Sequence, residues 1–318
     1  MELALNLAKR EIDTSKTYDV LILGGGTAAL GAALYTARYE LSTIMIAQSI
    51  GGAIIDAPLV ENYLGLDKTP GVELVNKFRA HVENYGAIIA EGRTAVSIER
   101  KQDLFRVKTD TGEEFRGRAV IIATGTRRRK LGLPKEEELT GRGISYCTTC
   151  DAPFFKDKVV GVVGGGDSAI TGAVQLADVA KKVYVFVRSK IRAEPINMDA
   201  LKPYIENGRV EIIMPVTVQE LLGNEKLEGV RLSNGQELRL DGLFIEIGGV
   251  PNTDFLKDLG VELDNVGHII VDKEMRSSMP GIFAAGDVID HPLKQCITAA
   301  AEGAVAAYSA YQYIKGMK

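Results

Sequence analysis

Val20-Leu21-Ile22-Leu23-Gly24-Gly25-Gly26-Thr27-Ala28-Ala29 and Val159-Val160-Gly161-Val162-Val163-Gly164-Gly165-Gly166-Asp167-Ser168-Ala169 decide how this chain folds. Each is an apolar run of strand length, then glycines, then a segment of small residues suited to a helix. In the G-x-G-x-x-A pattern the first glycine (Gly24, Gly164) permits the tight turn. The second (Gly26, Gly166) lets a pyrophosphate approach the backbone, and the alanine (Ala29, Ala169) lets helix and strand pack closely. The following helix turns amide donors and a positive dipole end toward the phosphates. A single match is a weak signal. Two matches, 140 residues apart, predict an α/β chain with two Rossmann-like dinucleotide-binding domains.

Just before the second unit stands Cys147-Thr148-Thr149-Cys150-Asp151. The C-x-x-C spacing lets two sulfurs close a ring while the backbone turns between them, and such a pair holds two electrons. Asp151 adds a carboxylate able to give or take a proton as a thiol becomes a thiolate. Zinc needs four ligands, and beyond this pair the chain offers only Cys296 and three scattered histidines, His81, His268 and His291, so no metal site is expected. A structural disulfide of this ring size would constrain little of the unfolded chain. The motif therefore reads as a redox pair.

The second strand of the second unit, Val183 to Val187, is followed by Arg188 and Arg192 instead of an acid. Cations suit a 2′-phosphate and a carboxylate suits a free hydroxyl, which favours NADPH over NADH. In the first unit the strand Ser42 to Ala47 ends without the acidic residue that holds an adenosine ribose, so that contact has no candidate. Gly51-Gly52 opens the next loop, where a flat cofactor could come close to the backbone. A helix is expected from Glu73 to Tyr85, strands between Arg93 and Arg116, and a buried strand at Ala119 to Gly125. Near the C-terminus, Gly281 to Val288 reads as a strand ending in Gly286 and an exposed carboxylate, Asp287, fit to accept from sugar-like hydroxyls. A last helix from Gln295 to Tyr313 is rich in small residues, with Cys296 as a small buried residue beside a cofactor. Arg127 to Lys130 reads as a solvated basic turn, and residues 1–16 as a surface extension without a function.

The 318 residues are long enough for two domains, and 38 Lys and Arg against 42 Asp and Glu give a net charge of −4, which attracts neither nucleic acid nor an anionic membrane. Three cysteines, no signal peptide and no apolar run of membrane-spanning length lead us to expect a cytoplasmic protein. There the disulfide would be catalytic.

From about Tyr18 onward the chain resembles the low-molecular-weight thioredoxin reductases. The resemblance rests on Gly24 to Ala29, Gly51-Gly52, Glu61-Asn62-Tyr63, Ala123-Thr124-Gly125, Cys147 to Asp151, Gly164 to Ala169, Arg192-Ala193 and Ala284 to Asp287. It implies a discontinuous FAD domain, 1–125 plus 252–318, with an NADPH domain, 126–251, inserted between, and a homodimer. It implies that Cys150 faces the flavin, that Cys147 attacks the disulfide of thioredoxin or a similar small disulfide protein, and that Asp151 is the acid/base. FAD would be held by Gly24, Gly26, Thr27, Ala29, Gln48, Gly51, Gly52, Asn62, Gly125, Gly286, Asp287, Gln295 and Cys296. NADPH would be held by Gly164, Gly166, Asp167, Ser168, Arg188 and Arg192. Departures are Thr27 and Ala29 for the usual proline and glycine, Ala53 and Leu64 for glutamine and proline, and Phe186-Val187 where His-Arg usually precede Arg188. The missing cation makes NADH or another donor a competing expectation. Other readings on the same scaffold are a reductase of a glutaredoxin-like protein or a peroxidase, and a ferredoxin-NADP reductase-like flavoprotein, although the last lacks the cysteine pair.

Overall fold

The structure, a computed structural model, describes residues 12–57 and 59–316. Most of the expected surface extension, residues 1–11, lies outside them. The chain divides into two compact units, one running to Arg127 and resuming at Pro251, the other spanning Arg128–Val250.

The first unit opens with β1 (Thr17–Leu23), α1 (Thr27–Arg38) and β2 (Thr43–Ala47), and continues through α2 (Gly71–Asn84), β3 (Ile88–Glu91), β4 (Ala95–Lys101), β5 (Leu104–Thr109) and β6 (Glu114–Ile122). β1 pairs in parallel with β2 and β6, and β2 with β3. β4, β5 and β6 form an antiparallel meander that extends the same sheet. β1 is buried nearly end to end because parallel strands are covered on both faces, which explains its unbroken apolar run.

After β7 (Thr126–Arg128), which runs across the first boundary, the second unit carries α3 (Glu136–Leu139), β8 (Ile144–Ser145), α4 (Thr148–Asp151), β9 (Val159–Val163), α5 (Asp167–Val179), β10 (Lys182–Phe186), α6 (Pro195–Glu206) and β11 (Val210–Ile213). It continues with β12 (Val218–Leu222), β13 (Gly229–Leu232), β14 (Glu237–Arg239), β15 (Gly242–Ile245) and β16 (Gly249–Pro251). Its parallel sheet has the order β11-β10-β9-β15-β8, and β12 to β14 form a separate antiparallel sheet. Each sheet places the glycine turn at the carboxyl end of its central strand, where open α/β sheets bind their ligands.

The chain then returns to the first unit with β17 (Ile282–Ala284), parallel to β6, and α7 (Cys296–Gly316). α1 and α7 touch backbone to backbone. A Cβ on Gly31 would lie 2.5 Å from the Ala300 carbonyl oxygen, and one on Gly303 would lie 2.1 Å from that of Ala28. The small residues of the last helix are thus explained by packing.

Two expectations are corrected. Arg127 to Lys130 is solvated as expected but is not a turn: it begins within β7, and Arg127 pairs with Asp254 at 3.1 Å, Arg128 with Glu246 at 3.1 Å and Lys130 with Glu137 at 2.5 Å. Asp287 is not an exposed carboxylate, because it follows a strand buried on both faces and is itself mostly covered. Burial pushes its carboxyl above the usual range, against the opposing pull of Lys294 and His268.

Candidate functional site

In the first unit the glycine turn is built as a close crossing of backbones. Gly24 has φ +123, and a Cβ there would stand 2.1 Å from the Ala123 carbonyl oxygen, so only glycine fits. Gly26 caps α1 without a side-chain hydrogen bond, and the nearest atom to a Cβ placed on it is the Gly52 Cα at 3.8 Å. Gly51 donates to the Gly25 carbonyl at 2.9 Å, which brings the two glycine loops side by side. Residues far apart in sequence gather here: the Thr27 hydroxyl lies 3.2 Å from the Cys296 sulfur, and the Asn62 amide donates to Gln295 at 3.0 Å. Gly125 accepts the Asn252 amide at 3.0 Å. Gln48 is otherwise engaged, its side chain accepting from the Thr94 hydroxyl at 3.1 Å. Cys296 is half-buried, and its thiol is raised by burial.

Around Asp287 lies a polar cluster that sequence reasoning missed. Glu302, on α7, is 7% exposed and accepts the Gly286 amide at 2.8 Å. His291 Nδ1 approaches its other oxygen at 3.0 Å but off the hydrogen-bond axis. Lys294 donates to the carbonyls of Asp287 (2.8 Å) and Ile289 (3.1 Å), and burial lowers its pKa. The uncapped helix start, the space above Gly26 and the covered carboxyl with its cation fit a dinucleotide cofactor.

The second unit repeats the device. Gly164 has φ +147, with a built Cβ 2.2 Å from the Glu246 carbonyl oxygen, whereas a Cβ on Gly166 would meet nothing within 4 Å. Gly166 caps α5 with no side-chain hydrogen bond. The loop after β10 is drawn onto this turn, since the Arg192 amide donates to Gly165 at 2.6 Å. Val187 is 1% exposed and its methyl lies 3.0 Å from a Cβ placed on Gly165. It is wall, not ligand. Arg188, Lys190 and Arg192 are exposed, so Lys190 joins the two cations found in sequence. Asp167 is committed within the protein, accepting from the Glu194 amide (2.7 Å) and Asn197 (2.6 Å); Ser168 stays exposed on α5.

Cys147 and Cys150 are joined as a disulfide with their Cα atoms 5.3 Å apart. Cys147 caps α4, and its sulfur accepts the Cys150 amide at 3.2 Å. Cys150 is exposed and Cys147 half-buried. The side chains from Ser145 to Thr149 on either side of Cys147 are anchored. Ser145 accepts the Cys147 amide at 3.0 Å, Tyr146 donates to Glu136 at 2.5 Å, Thr148 donates to Glu246 at 3.1 Å and Thr149 to Gln175 at 3.3 Å. Glu136, 3% exposed, also gathers the amides of Leu131, Gly132 and Leu133 at 2.7 to 3.2 Å. Burial and this carboxylate hold the Tyr146 phenol well above its ordinary range. Asp151 is half-buried at the end of α4, and its carboxylate has no hydrogen-bond partner among the described residues. Sequence reasoning passed over Glu136 and Glu246, although a lone acid inside the apolar run Leu243-Phe244-Ile245-Glu246-Ile247 was a legible signal.

Two nucleotide-shaped turns and a redox disulfide define a class of flavoprotein-like disulfide oxidoreductases. Residues 18–303 match the pyridine nucleotide-disulphide oxidoreductase family. The chain belongs to that family, and its resemblance to the thioredoxin reductases holds over nearly its whole length. It is 41% identical to the thioredoxin reductase of Listeria monocytogenes over 311 residues, 95% of this chain and 96% of that one. It is 39% identical to an alkyl hydroperoxide reductase component of Staphylococcus aureus over 310 residues, 96% of this chain. The chain spans only 60% of that relative's length. Among solved structures, Lactococcus lactis thioredoxin reductase superposes with a TM-score of 0.88 at 36% identity, covering 94% of this chain and 99% of that one.

Proposed function

We propose that the protein is a disulfide reductase that carries two electrons from NADPH, through FAD, to the disulfide of thioredoxin or a similar small protein. The observation that carries the reading is a Cys147–Cys150 disulfide set on a dinucleotide-binding unit, with Tyr146 and Thr148 beside it anchored. FAD would lie over Gly26, Gly51 and Gly52, with Asp287, Asn62 and Gln295 toward its ribityl chain and ring. NADPH would lie over Gly164 to Gly166 and Ser168, its 2′-phosphate among Arg188, Lys190 and Arg192. The bound flavin supplies the link between a two-electron hydride donor and a dithiol.

The chain's own residues then do the following. In the reduced state the Cys150 amide, 3.2 Å from the Cys147 sulfur, favours the thiolate on Cys147. That thiolate attacks one sulfur of the partner disulfide and expels the other as a thiolate. Cys150 then attacks the Cys147 sulfur, closes the ring and releases the second partner thiolate. Asp151 takes the Cys150 proton and passes it to one partner thiolate, and the other partner thiolate takes from solvent the proton that Cys147 gave up when it ionised.

Anaerobic titration of the purified protein tests the reading. Flavin bleaching should require two equivalents of NADPH, one for the flavin and one for the disulfide, with NADH weaker. A colourless protein that takes up no flavin would refute it. The similarity to the alkyl hydroperoxide reductase component supports a second reading in which the partner is a disulfide module serving a peroxidase. Turnover with thioredoxin against such a module decides between them. The same proposal makes the protein a cytoplasmic homodimer: a three-cysteine chain with a working dithiol suits a reducing compartment, and sedimentation tests the dimer. No described helix is long and apolar enough to cross a membrane.

A further inference from the structure

Glu246 follows β15 at the carboxyl end of the second sheet. Its amide donates to Val163 at 2.9 Å, and its carbonyl is the atom that leaves no room for a side chain on Gly164. Its backbone is therefore part of the nucleotide turn. Its side chain, only 8% exposed, points elsewhere: one oxygen accepts from the Thr148 hydroxyl at 3.1 Å and the other meets the Arg128 guanidinium at 3.1 Å. Thr148 stands between the two cysteines and is itself buried, with its hydroxyl 2.8 Å from where a Cβ on Gly172 would be. One residue thus joins the floor of the nucleotide turn to the backbone that carries both sulfurs.

Stability does not account for it. A buried carboxylate paired with a half-exposed arginine is commonly no better than well-packed apolar side chains, and burial raises the Glu246 pKa against the pull of Arg128 and Thr148. The other charged or titratable groups about α4 are Asp151 on α4 itself and the Glu136–Tyr146 pair on the segment before it. From α5, Gly172 and Gln175 meet α4, and both are uncharged.

We propose that Glu246 is a positioning residue for the Cys147–Cys150 couple, tethering Thr148 to the nucleotide turn and setting the redox poise of the pair by its buried negative charge. Opening the ring breaks the S–S bond and takes up two electrons, from the dihydronicotinamide donor, with two protons, or with one proton where a sulfur stays as thiolate. A neighbouring anion disfavours that thiolate. It keeps the pair a stronger reductant than the same turn without it.

The proposal rests on the disulfide reductase reading, and its first readout, the midpoint potential of the pair, does not depend on turnover. Midpoint potentials of the flavin-loaded wild type, E246Q and T148V are measured in dithiothreitol buffers from pH 6 to 9 by trapping free thiols. Glutamine keeps an oxygen for Thr148 and removes the charge. E246Q should show its thiolate break about one pH unit lower and, above it, a tenfold shift toward the dithiol, roughly 30 mV. T148V keeps the charge and the shape but loses the tether. Its break should match wild type while turnover with a protein disulfide falls about tenfold or more. E246Q curves that superimpose on wild type, or T148V with wild-type turnover, overturn the proposal. If instead NADPH and NADH both leave the wild-type pair oxidised, the reductase reading fails, while the potentials set by dithiothreitol still report on Glu246.

Discussion

Exchanging Gly166 and Gly164 for alanine, one at a time, separates the nucleotide seat from the scaffold that supports it. At Gly166 a new Cβ meets nothing within 4 Å, and φ is −97, a value any residue adopts. G166A should therefore fold within about 0.5 kcal/mol of wild type. The methyl would fill the space a pyrophosphate needs against the backbone. Losing one charge-assisted amide contact costs about 1.5 to 3 kcal/mol, or roughly ten- to a hundredfold in affinity. Stopped-flow reduction by NADPH should show the apparent Kd raised by that factor, with the flavin content unchanged. G164A should behave in the opposite way. Its Cβ would sit 2.2 Å from the Glu246 carbonyl oxygen at φ +147, so strain and displacement should cost about 2 to 4 kcal/mol of the second unit's stability. A G166A protein that binds NADPH as wild type does would show that this turn is not the pyrophosphate seat.

Three further outcomes follow from the geometry. C147S should abolish protein-disulfide turnover yet still accept electrons from NADPH at the flavin; a variant that keeps turnover would remove Cys147 from its role. E136A strands three backbone amides and the Tyr146 hydroxyl, so urea unfolding should show a loss of about 3 to 5 kcal/mol; a loss below about 1 kcal/mol would mean that water replaces the carboxylate freely. Burial works against ionisation of Asp264, but hydrogen bonds from His268 and Val266 hold its carboxyl at about 2, below the ordinary 3.8. A depressed carboxyl stabilises the fold above its unfolded pKa and loses that contribution as pH falls through the folded one. D264N should therefore cost about 2 kcal/mol at pH 6 and progressively less between pH 4 and 2, and a pH-independent deficit in thermal unfolding would refute the assignment.

The two glycine turns were legible in sequence because their demands are local. A positive φ beside a crossing carbonyl admits one residue type, and the spacing to Ala29 and Ala169 is set by a single helical turn. The redox pair was legible for the same reason. Asp287 was misread because its exposure depends on β17 entering a sheet whose other strands lie more than 150 residues earlier. Glu136 stayed silent because no periodicity marks a buried acid and its partner Tyr146 lies ten residues on, whereas Glu246 showed as a lone acid in an apolar run but its partner Thr148, 98 residues away, did not. Lys190 lies two residues after Arg188 in the same exposed loop, where nothing in the pattern sets a ligand apart from a surface cation.

The contact of α1 with α7 bears on how the protein is made. Gly31 and Gly303 press α1 against α7, and β17 joins the sheet that contains β1. During synthesis the early strands wait, incompletely covered, until α7 leaves the ribosome, whereas Arg128–Val250 emerges as a compact unit well before. The Cys147–Cys150 turn can thus take shape on the nascent chain while the first unit is still incomplete.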